Sequence, residues 1–194
     1  MKFFDFLRAK TKKTEVQVDV NRITDNVEEA NNSKEKITYN SSTTLIEVLN
    51  FIRDNSSYVG IELNKPATDI EIENFRNSKT ELPEDFKLLY KFCNGFETDE
   101  DLFRLIPLDE IIENEDDSYL ISDKSFHFTE YMIYSNMWSV DINVDNINSY
   151  RIYNKEEEVV FLTTSLTEFL CVFINKGLYD GLYRWGEVKK KING

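Results

Sequence analysis

The spacing of apolar residues changes partway along the chain. From Thr43 to Cys93, apolar residues recur at the 3.6-residue period of helices, in segments that begin with helix N-terminal signals. From Leu102 onward, short runs alternate apolar and polar residues between clusters of Ser, Asn and Asp. A final helical period follows Ser165. This order predicts an α+β fold, with an antiparallel or mixed sheet flanked by helices.

Capping boxes mark three of the predicted helices. In such a box, a Ser or Thr and a Glu three residues later satisfy each other's backbone N–H groups. The boxes are Thr44–Glu47, Thr68–Glu71 and Ser165–Glu168. A further helix is predicted over 83–93, where Pro83 fits the first helical position and Gly95 the left-handed residue that ends the helix. Its broad apolar stripe predicts that it is scaffold, packed on the sheet.

The alternating runs predict a meander of antiparallel strands. The predicted strands are residues 102–106, 125–134, 138–144, 150–153 and 159–162. The predicted turns between the later strands are Ser135-Asn136, Asp145-Asn146 and residues 154–157. Pro107 starts a predicted short helix over 108–112.

Three regions follow from the distribution of apolar residues. Residues 1–42 are poor in them and form a polar N-terminal arm, either ordered or partly disordered. Residues 43–186 form the predicted domain, and residues 187–194 a basic C-terminal tail. The first residues become charged at once, unlike a signal peptide, and no run approaches the ~20 apolar residues of a membrane span. We therefore expect a cytoplasmic protein, whose oligomeric state the sequence leaves open.

The charge of the chain restricts its partners. With 36 acidic and 23 basic residues, the net charge is −13. Such a field repels nucleic-acid phosphates and anionic membranes and attracts a basic partner. Residues 97–117 hold ten carboxylates and one base, Arg104. This segment is either a solvated face or a docking surface for a basic protein.

The acidic segment and one aromatic residue provide the candidate partner-binding residues. Trp185 follows the last predicted helix, and two interpretations are open. It packs back on the fold, or it joins a contact patch, since Trp, Tyr and Arg are enriched at interface centres. The candidates are Glu97, Asp99, Glu100, Asp101, Glu113, Glu115, Asp116, Asp117 and Trp185.

No residue pattern predicts catalysis or metal binding. His127, the only histidine, lies in a predicted strand and is expected at the surface or rim, without an oriented nucleophile. Cys93 and Cys171 lie in apolar runs and are expected as buried, reduced thiols. Residues 141–152 lack the Gly and Glu that a calcium loop requires at its sixth and twelfth positions. We predict no catalytic residue, no metal, no cofactor and no enzymatic activity.

Four motifs occur in an order that resembles the SUKH superfamily, in its yeast cell-wall-assembly-regulator-like branch. They are LPEDFK at 82–87, CNG at 93–95, LIPLDEI at 105–111 and SLTEFL at 165–170. The structural motif residues within the first two are Leu82, Pro83, Asp85, Asn94 and Gly95. The resemblance covers residues 44–180, and the order of the motifs is more specific than any one of them.

The resemblance implies an α+β fold and protein binding without catalysis. Bacterial members of the superfamily are mostly immunity proteins that neutralise polymorphic or contact-dependent toxins by direct binding. We therefore predict an immunity protein for a cognate toxin with a basic surface, such as a nuclease domain. The alternative is an intracellular protein-interaction adaptor, as the eukaryotic relatives suggest. The chain departs from the family pattern in the extra residues 1–42 and in the Tyr- and Asn-rich segment 131–148, which is predicted to line the binding face.

Overall fold

A computed structural model of the chain describes residues 37–98, 102–114 and 118–193. The predicted N-terminal arm lies outside these ranges, apart from its last six residues, 37–42. Within them, helices pack against an antiparallel sheet, which confirms the predicted α+β class.

The helices of the described ranges begin close to their predicted caps. They are α1 (Leu45–Asp54), α2 (Ser56–Val59), α3 (Asp69–Ser78), α4 (Glu84–Phe92), α5 (Leu108–Glu113), α6 (Leu166–Lys176), a π-helix (Leu178–Tyr183) and α7 (Arg184–Asn193). Thr44 and Thr68 form their capping boxes as predicted. At α6, the Ser165 hydroxyl accepts the backbone N–H of Glu168. The basic residues near the C-terminus belong to α7.

Seven strands form the sheet in the part of the chain that the structure describes. They are β1 (Ile61–Leu63), β2 (Phe96–Thr98), β3 (Phe103–Leu105), β4 (Ser125–Tyr131), β5 (Asn136–Asn143), β6 (Asn146–Lys155) and β7 (Val159–Thr163). Their order in the sheet follows the chain, and each neighbouring pair is antiparallel. The predicted meander is confirmed. The sequence did not predict β1 and β2, because three residues are too few to show alternation, whereas the equally short β3 was predicted as part of the longer run 102–106.

Aromatic rings fill the space between the sheet and the helices on one face. The Phe86 ring of α4 meets the Phe128 ring of β4 edge-on, with 5.2 Å between centroids. The Phe103 ring of β3 lies 4.3 Å from the Phe173 ring of α6. Trp138 of β5 is also part of this core and is 1% exposed. Such aromatic pairs add to the free energy of area burial and fix the helices on this face.

Both cysteines are buried and free, as predicted. Burial raises the pKa of the Cys93 thiol to about 12 and that of Cys171 to about 11. Both side chains are therefore protonated and unreactive at neutral pH.

His127 is buried, not at the surface or rim as the sequence suggested. Its side chain is 5% exposed, and Nδ1 lies 2.7 Å from the Ser139 hydroxyl. Strand alternation correctly places it opposite the phenylalanines of β4. That second face is covered, however, and His127 lines a small cavity there together with Leu120, which lies between α5 and β4. Tertiary packing therefore buries a position that local pattern leaves exposed.

The LPEDFK motif fixes the start of α4. Leu82 is buried in the core, and Pro83 is the N-cap residue rather than the first helical residue, because its ψ of 152° is extended. The carboxylate of Asp85 accepts a hydrogen bond of 2.6 Å from the Tyr150 hydroxyl of β6. The motif thus ties the first turn of α4 to the sheet.

Asn94 connects three segments that are distant in sequence. Its Oδ1 accepts the backbone N–H of Leu108 at 2.9 Å, and its Nδ2 donates to the Glu71 carboxylate at 3.2 Å. Its backbone N–H donates to the Lys65 carbonyl at 2.8 Å. Since the first N–H groups of a helix lack partners within the helix, the contact with Leu108 satisfies one of them and positions α5.

Gly95 has a different role from the predicted one. The chain leaves α4 at Cys93, which is extended, so Gly95 is not the residue that ends the helix. Its φ of +95° lies in the region that favours glycine, and an added Cβ would lie 2.7 Å from the Leu105 carbonyl oxygen. Gly95 therefore allows the chain to pass directly against β3.

We expect Gly95→Ala to lower the free energy of unfolding by about 3 kcal/mol, because the backbone conformation is strained and the methyl group clashes. Gly186→Ala is the control. It lies within α7 with open space around its Cβ position, and it should raise the free energy by roughly 0.5–1 kcal/mol. Urea unfolding followed by tryptophan fluorescence measures both. Equal stability of the two variants would contradict this account of Gly95.

Candidate protein-binding surface

The sheet face opposite the aromatic core carries a row of charged residues across β1 to β4. Glu62, Glu97, Arg104 and Glu130 stand directly opposite one another in register. Residues paired in this way share a face, so the four side chains project together. Glu62 and Glu97 are exposed, and neither has an ion-pair partner within the described ranges. Two opposed carboxylates destabilise a sheet, which indicates that stability alone does not explain this edge.

Arg104 is neutralised from two sides. Its guanidinium donates to both carboxylate oxygens of Glu110, one of them at 2.7 Å, and its Nε donates to Glu130. Glu130 is 2% exposed, whereas 24% of the Arg104 side chain is exposed. The hydrogen bond from Arg104 holds the pKa of Glu110 below its ordinary value, although burial acts in the other direction. The single base of residues 97–117 therefore presents no net positive charge.

The helix that follows β3 extends the negative surface. Asp109 and Glu113 are exposed and lie four residues apart, on the same side of α5, while Leu108 and Ile111 are buried. Glu110, at the border between these two sides, reaches Arg104. We call Glu62, Glu97, Asp109 and Glu113 the acidic face.

The turn between β4 and β5 has an unusual backbone. Met132, Ile133 and Tyr134 have φ values of 51°, 53° and 60°. A left-handed conformation costs about 1–2 kcal/mol for each non-glycine residue, and a β-branched residue such as Ile133 rarely adopts it. The Tyr134 backbone N–H donates to Glu130, and its hydroxyl donates to Glu110. These contacts stabilise the strained turn.

We call Arg104, Glu110, Glu130 and Tyr134 the Arg104 cluster. Burial, with the hydrogen bond to Glu110, raises the pKa of the Tyr134 phenol, so the phenol is protonated at neutral pH and donates. The Arg104 guanidinium also lies 5.7 Å from the centre of the Tyr134 ring. With its donors and acceptors directed at one another, the cluster is suited to holding a surface in a fixed shape.

The sequence placed the end of β4 incorrectly. It predicted one strand over 125–134 and a turn at Ser135-Asn136, whereas β4 ends at Tyr131 and β5 begins at Asn136. The prediction failed because residues 131–134 contain no glycine or polar residue to mark a turn. The contacts of Glu130 with Arg104, 26 residues away along the chain, hold the turn instead.

The predicted partner-binding residues fall into three groups. Glu97 and Glu113 lie on the acidic face. Trp185 is half-buried against the core in α7, which packs on β7, at the sheet edge away from β2. The remaining candidates lie outside the described residues; they are Asp99, Glu100, Asp101, Glu115, Asp116 and Asp117. A role in partner binding stays a prediction for all of them.

Sequence reasoning missed Glu62, Glu130 and Tyr134. Glu62 lies in a strand too short to be recognised, and the importance of Glu130 depends on its register with Arg104. Tyr134 offered one signal in the sequence, because it is a large residue just before the predicted turn. Its role nevertheless depends on Glu110, the partner of its hydroxyl, which lies on α5 and cannot be identified from local sequence.

Across residues 37–98, 102–114 and 118–193, no group of His, Cys, Asp and Glu side chains is placed to hold a metal ion. None of the helices in these ranges combines the length and the apolar character that a bilayer crossing requires.

The fold and this surface define an α+β protein in which a helix-backed antiparallel meander displays a charged face. The model of the SMI1 / KNR4 family (SUKH-1) matches residues 66–190, more than half of the 194 residues, and the chain belongs to this family. The superfamily inferred from the four motifs is thereby confirmed. The matched region contains the sheet from β2 to β7 and all four members of the Arg104 cluster. None of the curated proteins compared with the chain matches it.

We expect Glu130→Gln to lower the free energy of unfolding by about 3 kcal/mol, because the amide places an N–H group against donors of Arg104 or Tyr134 and removes a buried charge partner. Glu157→Gln, at an exposed position between β6 and β7, should change it by about 0.5 kcal/mol or less. Chemical denaturation of both variants measures the difference. A cost for Glu130→Gln no larger than that of its control would contradict the assigned role.

The Glu110 contacts predict a pH dependence of stability. Because the folded-state pKa of Glu110 lies below its ordinary value of 4.5, its ionised form stabilises the fold at neutral pH. This contribution is lost as the pH falls below the ordinary value and through the folded-state pKa. The stability gap between wild type and Glu110→Gln should therefore narrow from about pH 7 to about pH 3 in denaturation experiments. A difference in stability that stays constant over this range would show that Arg104 does not stabilise the ionised Glu110 carboxylate.

Proposed function

We propose that this chain is a non-catalytic immunity protein that binds and neutralises a cognate toxin through its acidic face. Family membership supports a role in protein binding, since the SUKH superfamily includes immunity proteins. The observation that carries the proposal is the charge balance around Arg104. The one base of the acidic segment is held by Glu110 and Glu130, so exposed carboxylates beside it keep their charge available to a partner.

The partner that fits this surface is a protein domain with a basic face, such as the substrate groove of a nuclease. Carboxylates held on strands and on α5 would occupy positions that phosphates take in the substrate. Opposed carboxylates at Glu62 and Glu97 repel each other in the free protein, and a cation placed between them relieves that repulsion. Binding to a basic partner therefore recovers free energy that the free sheet lacks.

Two kinds of contribution are expected from the acidic face. A carboxylate that becomes buried against a cation of the toxin would cost about 2–5 kcal/mol of binding free energy when removed. Carboxylates at the rim would mainly raise the association rate, and this effect weakens as salt screens the field. Because β1, β2 and α5 hold the acidic face in place, little conformational entropy is lost on binding.

The test is charge reversal with a matched control. We expect simultaneous substitution of Glu97, Asp109 and Glu113 by Lys to abolish protection of a bacterial host that co-expresses the toxin encoded beside the gene for this chain. All three side chains are exposed, so the variant should fold and keep the wild-type circular dichroism spectrum. The control reverses three exposed carboxylates in the β5–β6 and β6–β7 turns and changes the net charge equally; they are Asp145, Glu157 and Glu158.

Protection should survive in the control. The association rate of wild type with the purified toxin should fall as the salt concentration rises, and that of the acidic-face variant should be slow at every salt concentration. Protection by the acidic-face variant equal to that of wild type would discard this binding mode. Equal loss in both variants would mean that total charge, not this face, attracts the partner.

A further inference from the structure

An exposed apolar group lies beside the Arg104 cluster. Leu102, Met132 and Ile133 are 64%, 46% and 88% exposed. The Met132 backbone N–H donates to the Leu102 carbonyl at 3.2 Å, so the start of β3 and the β4–β5 turn meet at one end of the sheet. We call these three residues the apolar tip. Water is an unfavourable environment for such large side chains, and clustered exposure of this kind marks interaction sites.

The backbone conformation of the apolar tip is unfavourable, as is the exposure of its side chains to water. Over the described residues, the non-glycine residues with positive φ are its three members and Tyr134. An Asn-Gly pair would form a two-residue hairpin turn without strain, and a polar residue at 133 would avoid exposing an isoleucine. Local strain of this kind clusters at functional sites, where surrounding contacts maintain it.

The tip is held in one conformation. Below it, Glu130 accepts the Tyr134 backbone N–H and is itself held by Arg104. Within the turn, the Ser135 hydroxyl donates to the Met132 carbonyl at 2.7 Å. A loop that is already ordered loses little entropy when it binds, so its exposed side chains can contribute their full burial to affinity.

The surroundings of the tip indicate what it contacts. On one side, Tyr131 packs edge-on against Tyr179, which is 59% exposed. On the other side are the Arg104 cluster, with two carboxylates for one guanidinium, and Glu97, opposite Arg104 in register. An apolar centre bordered by aromatic and acidic residues complements an apolar pocket within a basic protein surface.

Resting on the proposed function, we infer that the apolar tip anchors the toxin interface, with Ile133 inserted into an apolar pocket of the toxin's basic surface. The acidic face attracts the toxin and orients it, and the tip slows its dissociation. The same carboxylates disfavour other occupants. A second copy of this chain would bring two acidic faces together, and an anionic membrane surface is repelled by the net charge of −13.

The test exploits the left-handed backbone. Asn adopts this conformation more readily than Ile, so Ile133→Asn removes the anchor while relieving strain. We expect its thermal midpoint to equal or exceed that of wild type, and its dissociation constant for the toxin to rise about 30-fold or more. The probe is the purified, catalytically inactivated toxin encoded beside the gene, in a titration calorimeter. Val144→Asn is the control, at a 76% exposed valine in the β5–β6 turn, and should bind as wild type does.

The salt dependence of binding separates the contribution of the apolar tip from that of the acidic face. The loss caused by Ile133→Asn should persist at high salt, since it comes from apolar burial, whereas the loss caused by reversing the acidic face should shrink. Wild type that does not bind the toxin overturns the proposed function and the anchor with it. Wild type that binds, with an unchanged dissociation constant for Ile133→Asn, overturns the anchor alone. A wild-type dimer that Ile133→Asn dissociates would assign the tip to a second copy and also overturn it.

Discussion

The side chain of Asn94 determines the position of the surface residues. Its amide oxygen accepts the first N–H of α5, at Leu108, and so fixes the direction in which this short helix leaves the sheet. With α5 fixed, Glu110 reaches Arg104, and Arg104 in turn holds Glu130. Glu130 then accepts the Tyr134 backbone N–H, so this series of contacts ends by holding the strained β4–β5 turn. A buried amide outside the turn is therefore connected to its conformation through these contacts.

Electrostatics explain why the series is built from charged groups. A guanidinium between two carboxylates is stable when partly buried because each ion has opposite charges and hydrogen bonds close by. An apolar substitute would pack as well, but it could not accept the hydrogen bond that the Tyr134 backbone N–H donates to Glu130. The arrangement uses Arg104 internally and leaves the neighbouring carboxylates Glu62 and Glu97 in unrelieved repulsion. The free protein is therefore less stable at this edge of the sheet, and a basic partner can restore the lost stability.

The proposed acidic face and apolar tip contribute to different steps of binding. Long-range attraction raises the rate of encounter and orients the partner, but exposed charges contribute little to the lifetime of the complex. Lifetime depends on well-packed apolar anchors, since most differences in affinity arise in the dissociation rate. The two features are linked, because Glu130, which helps to neutralise Arg104, also holds the β4–β5 turn that carries Ile133.

The sequence alone determined the fold class, the capped helices, the order of strands β3 to β7 and the family, because caps, periodicity and motifs are local. It also identified the acidic segment, since charged residues can be counted along the chain without a structure. Only the tertiary structure decided that β4 stops at Tyr131, that His127 is buried, that Gly95 faces β3 and that Glu130 holds a turn. Each of these depends on a partner far away along the chain, and no local pattern records which distant residue packing will bring within bonding distance.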